Sequence, residues 1–182
     1  MKPLSDTLRG VFRETITTSY SFFVPGKPAS QGSKVALPRL IKGKDGKPKA
    51  IANMKEQDPN LAAWRYDVER MGRLMRPEGW DLEGHFILDA FFFMPRPKAH
   101  FDTNGRLRSR APYFHSSQKD CDKMFRAIGD ALTGVCYLDD DVIALGSAAK
   151  IYSTEAQPTG AWVSVRRIDV QRAEASIRLL MS

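Results

Sequence analysis

The segment from Lys119 to Asp141, KDCDKMFRAIGDALTGVCYLDDD, leaves little freedom in how it folds. Met124, Phe125, Ile128, Ala131 and Leu132 fall at offsets of zero, one, four, seven and eight, which is the apolar stripe of an α-helix. Asp122, Arg126 and Asp130 recur at steps of four on the other face, where opposite charges one turn apart attract. Thr133-Gly134 is the expected stop, because glycine takes a left-handed C-cap without strain. Val135-Cys136-Tyr137-Leu138 is a short apolar run that leads into Asp139-Asp140-Asp141. Val142-Ile143-Ala144-Leu145 then reads as the start of a strand.

The same segment concentrates acid. Six aspartates, at 120, 122, 130, 139, 140 and 141, stand in twenty-three residues of a chain whose net charge is +7. An acidic knot in a basic protein suits a metal site that works on a polyanion. Mg²⁺ takes oxygen ligands, usually one or two carboxylates completed by waters and phosphate oxygens. Asp120 and Asp122 flank the start of the helix, and in an extended segment they would point the same way. The apolar turn is expected to return Asp140 beside them, giving three carboxylates that a cation would stabilise. A plainer reading stands next to this one. Aspartate at a helix start often serves only as a cap or a dipole partner, and an acidic triplet after a turn is often a solvated loop.

The basic residues lie mostly in two segments. Residues 26–55 carry Lys27, Lys34, Arg39, Lys42, Lys44, Lys47, Lys49 and Lys55 against Asp45 alone, with turn chemistry at 43–48 that suits the tip of a hairpin. Residues 95–119 carry Arg96, Lys98, Arg106, Arg108, Arg110 and Lys119 against Asp102 alone. Phe101, Tyr113 and Phe114 are interleaved with the second set. Both are read as long loops that contact nucleic-acid phosphates, the second adding aromatic faces for stacking. The candidate nucleic-acid contacts are Lys27, Lys34, Arg96, Lys98, Arg106, Arg108, Arg110, Lys119 and Lys123. With pI near 9.5, the chain suits an anionic partner.

Several function classes are disfavoured. Two cysteines, Cys121 and Cys136, make neither a disulfide framework nor a zinc set, and they fit a reducing cytoplasm. Cys121 lies between two aspartates, which argues against a reactive thiolate. Three histidines leave little scope for a histidine metal cluster. No apolar run is long enough for a membrane span, and Met1-Lys2-Pro3 opens no expected signal peptide.

The remaining elements follow from periodicity. Residues 4–15 are read as a short helix in an N-terminal arm over 1–16. Thr17–Val24 is expected as a first strand. Asp58-Pro59 announces a helix along Leu61, Trp64, Val68, Met71 and Met75, with Trp64 in the core. Gly84–Met94 is apolar on both faces and is expected as a central strand, with Asp89 read as edge-facing or hydrogen-bonded in preference to a partner of the metal site. Val142–Tyr152 and Gly160–Val170 make two more strands, with Trp162, Val163 and Val165 as core. A helix over 171–182 closes the chain. The order β-α-β-α-β-β predicts a single α+β domain over 17–170, with helices on a mixed sheet of about four strands.

The acidic segment resembles the RusA-type Holliday-junction resolvases, crossover-junction endodeoxyribonucleases common in phages and prophages. The matching residues are Asp120-Cys121-Asp122, Asp130-Ala131-Leu132 and Leu138-Asp139-Asp140-Asp141. Phe23–Pro28 with Ser30-Gln31-Gly32 resembles the family's opening strand and basic loop, and Phe92–Lys98 its second strand and exit. The resemblance runs from about Ser19 to Val170 and implies the same α+β fold. It implies a hydrolase active in DNA recombination and repair, with Asp120, Asp122 and Asp140 binding Mg²⁺, and Mn²⁺ as a substitute. It also implies a homodimer, and a cytoplasmic setting, that of the host if the chain is phage-encoded. The family motif continues D-x-D-N-x-x-K; this chain has Lys123 for the asparagine and Arg126 for the lysine. The catalytic cation is therefore Arg126, Lys123 or Lys119. Two other readings remain: a non-catalytic DNA-binding module, and a metal nuclease for other branched or single-stranded nucleic acid.

Overall fold

The computed structural model describes residues 3–32, 35–42, 48–55, 58–117 and 119–182. Its order is α1 (Leu4–Glu14), β1 (Ile16–Pro25), β2 (Val35–Lys42), β3 (Pro48–Lys55), α2 (Leu61–Met75), β4 (His85–Met94), α3 (Cys121–Leu132), β5 (Ile143–Tyr152), β6 (Gly160–Ile168) and α4 (Val170–Met181). Strands β1, β6, β4 and β5 lie side by side in that order. The pairs β1–β6 and β6–β4 are antiparallel, and β4–β5 is parallel. The molecule is thus an α+β domain on a mixed four-stranded sheet, as the periodicity predicts. Apolar on both faces, β4 sits inside the sheet.

Alternation along the strands divides the sheet into two faces. Phe22, Val24, Phe86, Leu88, Ala90, Phe92, Val163 and Val165 point to one side and are buried. There they meet Leu61, Trp64 and Val68 of α2 and Met124, Ile128 and Leu132 of α3. The two helices pack so closely that a Cβ on Gly72 of α2 would lie 2.8 Å from Leu132 Cδ2. The opposite face carries a smaller cluster, in which Ile87 and Ile168 pack with Phe12 of α1 and Ala173 of α4.

Four details depart from the sequence reading. First, residues 35–42 and 48–55, read as part of a long loop, are strands: β2 and β3 pair antiparallel from Val35–Lys55 to Lys42–Pro48. Of the tip expected at 43–48, residues 43–47 lie outside the described residues, as does Lys34. Second, Trp162 is not core. It is 42% exposed, because its neighbours Val163 and Val165 set the register of β6 and put Trp162 on the other face. Third, α2 begins at Leu61, after a turn in which Asp58 Oδ1 accepts from the Asn60 amide. Fourth, the segment 101–115 is tied down. Tyr152 N donates to Tyr113 O at 2.8 Å, and Phe114 bridges Ile151, which covers part of the free edge of β5. As expected, Asp89 is held within the sheet by Arg166 and Ser147.

Candidate metal and nucleic-acid site

Helix α3 organises the site. Asp120 is its N-cap in an extended conformation, and Asp122 lies in its first turn. Because the helix has already begun, the strand-like alignment expected for the two does not hold; residues two apart on a helix do not face each other. Asp120 is exposed and its Oδ2 lies 2.7 Å from Lys123 Nζ. The hydrogen bond from Lys123, with the charge behind it, holds the Asp120 carboxyl below the ordinary range and pushes the Lys123 ammonium up. Asp122 and Arg126 are exposed one turn apart.

The turn after α3 closes tightly. Gly134 adopts φ +72°, and its amide donates to Tyr137 O at 2.7 Å. Tyr137 is buried and its hydroxyl donates to Gly129 O at 2.9 Å. That bond fixes where the chain returns. Asp140, opening a 3₁₀ turn at Asp140–Val142, packs at the level of Gly129, whose absent Cβ would lie 3.6 Å from Asp140 Oδ2. Gly129 is seven residues beyond Asp122, about 10 Å along the helix axis and nearly on the same stripe. Arg126 occupies the turn between them.

Asp140 therefore keeps acidic company. Burial raises its pKa first, and the charge of Asp130 raises it further, with Asp139 adding to the effect. Asp130 is in turn held by Arg65 of α2 at 3.4 Å. Neither Asp130 as a partner of Asp140 nor Arg65 as a partner of Asp130 was legible in the sequence. The helix spacing paired Asp130 with Arg126, and Arg65 lies in a different helix.

The donor chemistry suits a hard divalent cation, since carboxylate oxygens are what Mg²⁺ takes. The present side-chain spacing does not gather them. Among the described residues, no group of three or more His, Cys, Asp or Glu side chains stands close enough to hold a metal ion. The return turn brings Asp140 to the middle of α3 and leaves Asp120 and Asp122 at its start.

The basic candidates divide into struts and free groups. Lys119, with φ +70°, donates from Nζ to Asp58 Oδ2 and Pro28 O, each at 2.8 Å. Burial alone would raise the Asp58 carboxyl, but the bond from Lys119 and the amides of Asn60 and Ser30 outweigh it and hold the carboxyl low. Lys150 donates to Lys119 O at 2.8 Å. Arg96 donates to Ser153 O and Pro112 O and lies 5.0 Å over the Tyr152 ring. His100 and His115 flank that ring too, and both are half-buried. Arg108 donates to Phe101 O at 2.8 Å. Lys27, Lys98, Arg106 and Arg110 are exposed, as are Tyr113 and Phe114. Burial first, then Asp122, raises the Cys121 thiol, in keeping with an unreactive group.

Residues 43–165 match the family of endodeoxyribonuclease RusA, and the chain belongs to that family. Membership points to a nuclease and to junction DNA as the family's substrate, and nucleases of this family generally depend on a divalent metal. No curated protein matches the chain. Among solved structures, the protein Atu1372 with unknown function from Agrobacterium tumefaciens is similar at 13% identity. That match covers 91% of this chain and 96% of the other at a TM-score of 0.33, too slight to bear on fold or function. Among the described residues, no helix is long and apolar enough to cross a membrane.

Proposed function

We propose that this chain is a Mg²⁺-dependent endonuclease that resolves four-way DNA junctions by paired phosphodiester hydrolysis, with Mn²⁺ able to substitute. Asp120, Asp122 and Asp140 are its metal-binding carboxylates. The observation that carries the reading is the return of Asp140 onto the helix that begins at Asp120, within a basic protein of this family. Asp140 faces Asp130 there, and two carboxylates in contact are relieved by a cation or a proton. Bringing the three together requires Asp140 to turn from Asp130, and Asp120 from Lys123.

A bound divalent ion supplies the charge that polarises the phosphodiester and lowers the pKa of an attacking water. The chain's own residues do the rest. Lys27, Lys98, Arg106 and Arg110 lie exposed to meet backbone phosphates, which position DNA without reading its sequence. Lys119, Arg96 and Arg108 act at one remove, by bracing the segments that carry those groups. Exposed Tyr113 and Phe114 offer faces to unstacked bases.

Two cuts across a junction of approximate two-fold symmetry suit a homodimer. The sheet face away from α2 and α3 supports one. Phe23, Trp162 and Phe91 stand in register across three strands there, with Phe91 50% exposed. The absence of a membrane-crossing helix among the described residues is compatible with a cytoplasmic setting, that of the host if the chain is phage-encoded.

The test is a synthetic four-way junction with and without Mg²⁺, run beside flap, fork and single-stranded substrates at fixed salt. Paired symmetrical nicks that need metal are expected. Binding with no cleavage in Mg²⁺ or Mn²⁺ would return the chain to a DNA-binding module.

A further inference from the structure

A second charged site lies on the face of the sheet away from α2 and α3. In β4, Leu88 and Ala90 point toward those helices, so Asp89 between them points to the other side. There α1 rests on the sheet through Phe12, which packs against Ile87. Between that helix and the strands is a cavity of about 180 Å³, whose polar lining is Arg9, Arg13, Asp89, Ser147 and Arg166. Three guanidiniums share it with one carboxylate.

That carboxylate is already used. Arg166 Nη2 donates to Asp89 Oδ2 and Ser147 Oγ donates to Asp89 Oδ1, one partner on each oxygen. Arg166 Nε is buried and has no partner among the described residues. A buried donor without an acceptor is costly and uncommon in native folds. Arg9 and Arg13 are exposed and one helical turn apart, where like charges repel. Among the described residues, neither forms an ion pair. An oxyanion meets these needs together. Guanidinium forks match phosphate oxygens two at a time, and the anion's charge offsets the repulsion along α1. The cavity has room for such a group, since a water takes about 30 Å³ in the liquid.

We propose that this cavity is a phosphate-binding site, in which Arg9 and Arg13 bind the oxygens of a phosphate group with the charge of Arg166 behind them, and that the bound phosphate fastens α1 to the sheet. Arg9 and Arg13 precede the stretch 43–165 that matches the family, so the site is built on the N-terminal segment. The sheet stands between it and α3, and it does not depend on whether the chain cuts DNA. Two sources carry the group: free phosphate, or the backbone of a DNA arm that passes the far face.

The experiment uses the full chain without metal. Inorganic phosphate is titrated at constant ionic strength against chloride, and the thermal midpoint is read. A rise of about 3 °C is expected at a concentration about tenfold above the dissociation constant. In Arg9→Gln/Arg13→Gln the rise should fall below about 1 °C. In Arg172→Gln/Arg178→Gln, which removes the same charge from exposed positions of α4, it should be kept. Without phosphate, Arg9→Gln/Arg13→Gln should melt no lower than the unsubstituted chain, because a like-charge pair is removed; a lost response is then not a lost fold. No rise in the unsubstituted chain overturns the proposal, and so does an equal rise in all three proteins or the same loss in both variants. A second arm assigns the source, by measuring the affinity of a short DNA duplex in chelator across a salt series. If the DNA backbone fills the site, the slope of log affinity against log salt should fall by about one in Arg9→Gln/Arg13→Gln and hold in the α4 variant. An unchanged slope beside a lost phosphate response makes free phosphate the ligand.

Discussion

At the start of α3, Asp120 is exposed and bonded to Lys123, among the cations of the opening loop and of the segment before the helix. Further along the same helix, Asp140 is half-buried against Gly129 and faces Asp130. The first carboxyl is held low by its lysine; the second is pushed up by burial and by its acidic neighbour. One end of the helix is electrostatically satisfied and the other is not. On the proposed reading, a cation gains most where the carboxylates repel, and it must displace an ammonium where they do not.

The largest expected effect comes from deleting charge at either end. Asp122→Asn and Asp140→Asn should each lower junction cleavage about a thousandfold. Junction binding in chelator should be kept or tightened, because a negative charge is removed. Nicking and gel-shift assays check both. Cleavage that survives Asp140→Asn would mean that only the satisfied end of the helix carries chemistry. Asp140→Asn should also raise the thermal midpoint by about 2–4 °C at neutral pH. The sign follows from the raised pKa. A carboxyl that binds its proton more tightly when folded contributes stability below its unfolded pKa and loses it as pH rises through the folded one. The gain should therefore be present at pH 7 and vanish well below pH 4.

The next effect tests what holds the satisfied end in place. Asp58 ties Lys119 to the entry of α2 and accepts two backbone amides. Asp58→Ala should cost about 2–3 kcal/mol in chemical denaturation, since a largely covered ammonium loses its partner. The Asp58 carboxyl is held low in the fold, so its contribution is present above the unfolded carboxylate pKa and lost as pH falls. The cost of Asp58→Ala should shrink in acid, as the gain from Asp140→Asn does, but the two stability changes have opposite signs.

What the sequence made legible divides along the same helix. The stripe from Met124 to Leu132 and the two-sided apolar run of β4 are local periodicities, and both elements form where they were expected. The D-x-D and L-D-D pattern was enough to indicate the family. The turn composition at 43–48 suggested a hairpin tip, but the strands β2 and β3 on either side were not legible, because Pro38, Pro48 and the lysines between them give the segment the composition of a loop. Trp162 shows a different failure: hydrophobicity alone put it in the core, but neighbours on a strand cannot both face inward. The Asp58–Lys119 and Arg65–Asp130 pairs join residues of different elements, which no window of sequence brings together.

A smaller effect probes the unsatisfied end. Arg65 is the cation that holds Asp130, and with it the acid facing Asp140. Arg65→Met should leave two carboxylates facing each other without that charge. The expected loss is about 1 kcal/mol at pH 8, shrinking as pH falls and the raised Asp140 carboxyl takes up its proton. A pH series of urea melts measures it. A loss independent of pH would make Arg65 a packing residue and remove the contrast between the two ends.

The smallest effect is the sharpest test of whether Asp140 moves. Gly129 lies inside α3, where glycine is about 1 kcal/mol less favourable than alanine. An added Cβ would meet Asp140 Oδ2 at 3.6 Å and Ile143 Cδ1 at 3.9 Å, ordinary contact distances that require no displacement of the fold. Gly129→Ala should therefore be stabilising by up to about 1 kcal/mol. The same methyl would stand beside the carboxyl that, on the proposed reading, turns from Asp130 to join Asp120 and Asp122. Cleavage should fall severalfold while stability rises, a combination that damage to the fold cannot produce. A Gly129→Ala variant that is both stabilised and fully active would show that Asp140 works from where it already lies. In that case the carboxylates at the start of α3 would have to come to it.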